Sequence, residues 1–195
     1  GLYAAGDVAG GAPKKYVSGA WVEAKIAIRT AIDEIDNVEL SHINDDEVDK
    51  EKERVSHLVS GKEGIPHEEL ERIFHEIMDE YAGGATTHYE LTETKLIIAR
   101  DKLKKLEEKL ENLHAEDNHE LVSCLELIDR FDVAKVLIEH LISRQETRWP
   151  AYQTRTDYPE RDDNNWLGFV NSIYDPVNDR VKIVKRALNE TLCNI

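Results

Sequence analysis

The clearest hydrophobic pattern is a run of small steps in the middle of the chain. Leu96, Ala99, Leu103, Leu106, Leu110 and Leu113 recur at alternating intervals of three and four, which predicts the seam of a helix packed along another helix. Lysines and glutamates between Lys102 and Glu111 supply its solvated outer face. A break at His114 to Asn118 reverses the chain. From Leu121 to Ile142 the sequence is then apolar nearly all round, so the next helix should be buried on most sides. Together these two helices predict the core of a small antiparallel bundle. The leucine seam could instead join two copies as a coiled coil, although the break after about three heptads favours packing within one chain.

Two more helices precede this pair. Pro66 stands at a first helical turn, with Glu68 and Glu69 beside it, an arrangement that suits a helix N-terminus. Leu70, Ile73, Phe74 and Ile77 should form its inner face, Met78 and Tyr81 extend it, and Gly83-Gly84 stop it. Asn44-Asp45-Asp46-Glu47 cap a charged helix running to Ser60, whose thin stripe of Val48, Val55, Leu58 and Val59 marks a solvated element or insert.

The two ends read differently. Leu2 to Ala5 is a short apolar run, read as a strand, that stops at Gly6-Asp7. A glycine-containing loop with Lys14 and Lys15 leads to Ser18-Gly19, where a helix begins. Its apolar face is Ala24, Ile28, Ala31, Ile32 and Ile35. Strand, glycine loop and helix are the layout that brings backbone N–H groups close to a cofactor; many such turns carry glycine for steric reasons alone. At the other end, Gly168 to Tyr174 and Arg180 to Arg186 alternate as two strands around a turn at Asp175 to Asp179. A lone hairpin is marginal in water, so it should lie on the bundle or on a partner, with Trp149 and Trp166 as packing contacts. The fold class is thus mainly α, an antiparallel helical bundle with a C-terminal β-hairpin. The divisions fall at residues 1–36, 37–166 and 167–195.

Charge removes several function classes. Forty acids oppose 25 Lys plus Arg, a net charge of -15, and such a surface is repelled by nucleic-acid phosphates and by anionic membranes. No run approaches the roughly 18 apolar residues needed to span a bilayer, and no signal-peptide pattern opens the chain. These features lead us to expect a cytoplasmic protein. Cys124 and Cys193 are too few for a disulfide framework, and Cys124, within an apolar helix, should act as a small buried hydrophobe. His75 and Asp79 stand at i, i+4 and could form half a metal site, but no second pair at ligand spacing completes it, so no metal is expected.

One irregular stretch, RQETRWPAYQTRTDYPERDDNNW from Arg144 to Trp166, stands apart. Arg144, Arg148, Arg155 and Arg161 face Glu146, Asp157, Glu160, Asp162 and Asp163 among two tryptophans and two tyrosines. Disordered segments are poor in aromatics; paired guanidinium forks and packed rings could pin this one. It reads as a structural clamp, or as the wall of an active site or partner interface.

GLYAAGD followed by SGA at a helix start resembles the last FAD-contacting segment of the fumarate reductase and succinate dehydrogenase flavoprotein superfamily. IMDEYAGGATT, then ETRWP, DYP, DDNNW and FVNSIYDP, resemble the C-terminal region of adenylylsulfate (APS) reductase alpha subunits, in the same order along nearly the whole chain. The resemblance implies that residues 1–36 close an FAD-binding domain. Asp7, after Gly6, would reach the sugar-like chain of FAD, and the backbone at Ser18 and Gly19 would face the flavin ring. It further implies exchange of two electrons between the flavin and adenylyl sulfate, a small anionic substrate, giving sulfite and AMP. An iron–sulfur beta subunit is the implied partner. Where the family presents a substrate-facing basic residue, typically histidine, this sequence has Lys14. Lysine supplies charge but is less suited than histidine to proton transfer near neutral pH, which keeps a dicarboxylate such as fumarate open as the substrate; Lys14 could also be a plain solvent-exposed loop residue. The N-terminal G-x-G-x-x-G turn that holds the ADP half of FAD is not found, so the chain should represent roughly the C-terminal third of such a subunit, inactive alone. The alternative of another class is an acidic helical interaction module without redox activity.

Overall fold

A computed structural model describes residues 1–9, 16–39, 42–60 and 63–188. The chain divides into two compact units, Gly1–Val48 and Asp49–Ile195.

The first unit is built on α1 (Tyr16–Glu34), preceded by a 3₁₀ turn at Gly6–Val8 and followed by another at Ile35–Asn37. Leu2 to Ala5 does not form a strand. Ala5 is extended, but a strand needs a neighbour for its backbone groups, and no described segment runs beside it in a ladder. The helix begins by Tyr16, before the expected Ser18-Gly19 start. Its apolar face exists but covers no core: Ile28, Ile32 and Ile35 are exposed, as are Val17, Trp21 and Ile26.

The second unit contains the bundle. α2 (Asp45–Ser60) begins in the first unit and runs into the second; it opens at Asn44, whose side-chain oxygen accepts from the Asp46 amide at 3.1 Å, and it contributes Leu58 to the core. α3 (His67–Tyr81) buries Leu70, Phe74 and Ile77, with Ile73, Met78 and Tyr81 packed at the margin. It ends in a left-handed Gly83 (φ 78°), and the Gly84 amide reaches back to the Asp79 carbonyl at 3.0 Å, the Schellman closure. A side chain at position 83 would be strained by that φ and would also meet Leu91 Cδ2 at 2.5 Å.

α4 (Glu93–Glu107) carries Leu96, Ala99, Leu103 and Leu106 against α3 and α5 (Asn118–Ser143). The seam therefore packs within the chain. Its last two members leave the helix: Leu110 starts a 3₁₀ turn, and Leu113 is buried just after it. Along α5 the fully buried side chains are Cys124, Leu127, Phe131, Ala134, Ile138 and Leu141, a strict three–four stripe. Val122 and Val133 are exposed, so this helix is less enclosed than its composition implies. Phe74 and Phe131 meet with ring centroids 5.0 Å apart. Cys124 is buried, its S–H donates to the His114 carbonyl, and burial raises its thiol pKa.

The hairpin forms as the alternation predicts, from β3 (Phe169–Asp175) and β4 (Arg180–Arg186), antiparallel with Asp175 opposite Arg180, and it lies on α5. Three shorter elements carry no periodic signal. β1 (Glu90–Leu91) pairs in parallel with β2 (Thr154–Arg155), and α6 (Asp163–Trp166) is a single capped turn.

Candidate functional site

The clamp is a closed ionic web. Glu146 has a fully buried side chain and accepts from Arg144 Nη1 at 2.7 Å, Arg148 Nε at 2.7 Å, Arg148 Nη2 at 3.0 Å and the Asp162 amide at 2.9 Å. Burial pushes its carboxyl up, but the hydrogen bonds from Arg148, the Asp162 amide and Arg144 together outweigh it and hold the group below the usual carboxylate range. Arg148 also reaches Asp163 at 2.9 Å, as Arg161 does at 2.8 Å.

Arg155 has a different task. One guanidinium nitrogen donates to the Leu141 and Arg144 carbonyls at 2.6 and 2.7 Å, capping the open C-terminal end of α5, while Nε and Nη2 hold Asp157. The second Asp157 oxygen accepts from the Glu93 amide at 2.7 Å, in the first turn of α4. A cation thus sits at one helix C-terminus and its carboxylate at another helix N-terminus, each complementing a helix dipole. Arg155 and the Glu93 amide hold Asp157 below its ordinary pKa. Thr147 Oγ1 accepts from the Arg155 amide at 2.9 Å and donates to the Tyr158 carbonyl at 2.9 Å. Trp166 is buried, with the Lys185 ammonium 3.3 Å from its ring centroid and the Arg144 guanidinium at 5.4 Å.

Trp149 departs from expectation. It is 55% exposed, whereas Trp166 is buried. It opens a tight turn with Tyr152, 77% exposed, and with Ala151 at φ 70°, a left-handed conformation costly for alanine. A cavity of about 250 Å³ opens beside it, walled by Arg144, Arg148, Gln153 and Arg155. Arg148 and Arg155 are already committed to carboxylates, so the web accounts for the clamp as a structural device.

The other candidate lies in the first unit. Gly6 adopts φ 74°, is buried, and donates its N–H to Glu23 Oε2 of α1 at 2.9 Å. Tyr3 reaches the far end of the same helix, donating to Glu34 at 2.5 Å. Asp7 is exposed on the turn that Gly6 anchors. Ser18 is exposed and Gly19 half-buried in the first turn of α1, which contains no acid. Tyr16, at the entry to that turn, has φ 50°, an uncommon conformation for a bulky residue. Lys14 lies outside the described residues. Asp79, half of the notional His75 pair, accepts instead from the Thr86 amide at 3.2 Å and from the Thr86 hydroxyl. Among the described residues no group of three or more metal-ligating side chains comes together, and no helix is long and apolar enough to cross a membrane.

A mainly helical unit flanked by a C-terminal hairpin is the architecture of a flavoprotein C-terminal domain. The chain belongs to the fumarate reductase flavoprotein C-terminal family, whose model matches residues 71–194. It is 37% identical over 108 residues to the adenylylsulfate reductase alpha subunit of Megalodesulfovibrio gigas, covering 55% of this chain and 16% of that one. Adenylylsulfate reductase from Archaeoglobus fulgidus superposes with a TM-score of 0.84 at 34% identity, over 95% of this chain and 31% of that chain. An adenosine-5-phosphosulfate reductase solved in complex with sulfite, as a covalent adduct, gives 0.79 at 33% identity, over 90% and 30%. The chain therefore spans less than a third of the solved relatives it matches.

The first unit offers groups whose chemistry suits the sugar chain and ring edge of a flavin. An exposed carboxylate on a fixed turn can accept from sugar hydroxyls, and an acid-free helix start offers N–H groups to a negatively charged ring edge.

Proposed function

We propose that this chain is the C-terminal part of the FAD-bearing subunit of an oxidoreductase of the adenylylsulfate reductase type. Residues 1–36 close its FAD-binding domain, 37–166 form the helical domain with its clamp, and 167–195 form the hairpin tail. The observation that carries the reading is the 34% identity and 0.84 TM-score over 95% of the chain. Bound FAD supplies the two-electron chemistry. Asp7 holds its sugar-like chain, and the backbone at Ser18 and Gly19 stabilises negative charge on the ring. Lys14 contributes positive charge toward an anionic substrate. In the reaction adenylyl sulfate accepts two electrons, the bond from sulfur to the phosphate oxygen breaks, and sulfite and AMP leave. An iron–sulfur partner subunit is the electron source. The proposed setting is the cytoplasm, and the 195-residue piece alone is inactive.

Lys14 in place of the family's usual histidine favours one second reading, a relative acting on a dicarboxylate such as fumarate. Flavin absorbance on this chain and on the full-length polypeptide tests both. The account expects only the longer protein to be yellow, and its flavin to bleach with sulfite. A yellow protein indifferent to sulfite but oxidised by fumarate moves the assignment to the dicarboxylate enzymes. A colourless full-length protein contradicts both and leaves the acidic interaction module.

A further inference from the structure

Among the described residues of the first 48, Gly6 is the one that is buried. Apolar packing does not explain it, because α1 buries none of its own side chains. What holds the turn is polar: the Gly6 N–H donates to Glu23 Oε2 at 2.9 Å, and the Ala9 amide closes the 3₁₀ turn on the Gly6 carbonyl at 3.0 Å. A left-handed φ of 74° at Gly6 accompanies that contact, and a Cβ there would lie 3.5 Å from Ala20 Cβ. Ala20 and Glu23 are three residues apart and so share one face of α1, the face that continues to the helix start at Tyr16.

Resting on the flavoprotein reading above, we infer that Glu23 is a positioning residue for the flavin. Through the Gly6 amide it fixes the turn bearing Asp7 to the same rigid helix whose first turn carries Ser18 and Gly19. The two groups that would meet opposite ends of the flavin and its sugar chain are then linked through a hydrogen bond two helical turns into α1. Glu23 itself touches no substrate and no reacting atom. Its removal takes the carboxylate acceptor away from a buried N–H, a loss that the turn relieves by moving.

The test uses the full-length flavoprotein with Glu23→Ala, Glu23→Asp and Glu23→Gln. FAD affinity is measured by reconstituting apoprotein, alongside the visible flavin band, its midpoint potential and amide exchange at Gly6. E23A and E23D, the second too short to reach, should bind FAD about tenfold more weakly, shift the band and potential, and expose the Gly6 amide. E23Q keeps an oxygen acceptor and should stay within about twofold of wild type. E23D also guards against poor folding of E23A. Wild-type affinity, band and potential in E23A and E23D overturn the assignment alone, as does an E23Q as impaired as E23A. A wild-type protein that holds no FAD overturns the flavoprotein reading and this assignment with it.

Discussion

The clamp and α1 use their side chains in opposite ways. In the clamp, the two buried charges are both paired: Glu146 takes four hydrogen bonds, and Arg155 caps α5 while bridging to α4 through Asp157. In α1, apolar residues stand in the open: Trp21 is 68% exposed and Ile32 64%. Charges do not stay buried without partners, so the clamp is complete within this chain. A helix apolar on several sides is usually a covered one, so under the proposed reading the surface of α1 meets further polypeptide of the larger subunit. The difference separates what this chain folds for itself from what it offers to the rest of a larger protein.

Mutations should divide along the same line. Arg155→Met strands Asp157 and two helix-end carbonyls, and should destabilise the chain by about 3–5 kcal/mol in urea unfolding followed by helical circular dichroism. An effect near that of an ordinary surface substitution would mean that the web is ornamental. Phe131→Ala, in the middle of the α5 stripe, should cost about 3–5 kcal/mol. Ile28→Ala on α1 should cost under about 0.5 kcal/mol in this chain, since its side chain is 59% exposed. The contrast between these two is sharper than either value alone, and equal losses would show that α1 is already buried in solution.

Acid should weaken the clamp next. Glu146 and Asp157 both have pKa values lowered by folding, so the unfolded chain binds more protons as pH falls. Their contribution is full above the unfolded carboxyl values of about 3.9–4.3 and is lost as pH drops through the lower folded values. The urea midpoint should therefore fall between about pH 5 and pH 3. Glu146→Gln should flatten part of that fall while lowering the midpoint at neutral pH, because Arg144 and Arg148 lose their shared anion. A midpoint that falls with acid as steeply in the variant as in wild type would remove Glu146 from the explanation.

Periodic elements were legible in the sequence because burial writes a period. The inner face of α3, the α4 seam and the hairpin around Asp175 to Asp179 all follow from spacing. Where structure depends on partners, spacing was a poorer guide. Leu2 to Ala5 reads as a strand, yet a strand is a relation between two segments, and among the described residues none runs beside it. The α1 stripe was equally plain, and only the structure showed it uncovered. In the clamp the balance of arginines and acids was visible, but not that Glu146 would gather two guanidiniums or that Arg155 would close a helix end. Trp149 shows the limit for single residues: composition marks it as a packing aromatic, whereas the turn through Ala151 leaves it in solvent. The pair of β1 and β2, two residues each, is too short to leave a pattern. The Glu23 contact with Gly6 could have been sought from the buried glycine turn, but nothing in the spacing selects that acid from its neighbours.

The most direct measurement is amide hydrogen exchange in α1 and α5, compared between the 195-residue chain and the full-length polypeptide with FAD. The account predicts that α5 is strongly protected in both. In the short chain α1 should exchange quickly, having no tertiary burial to hold it, and in the long one it should become as slow as α5. If α1 is as protected as α5 in the short chain, or remains fast in the long one, its exposed face is not an interface for the rest of a flavoprotein, and the central claim fails.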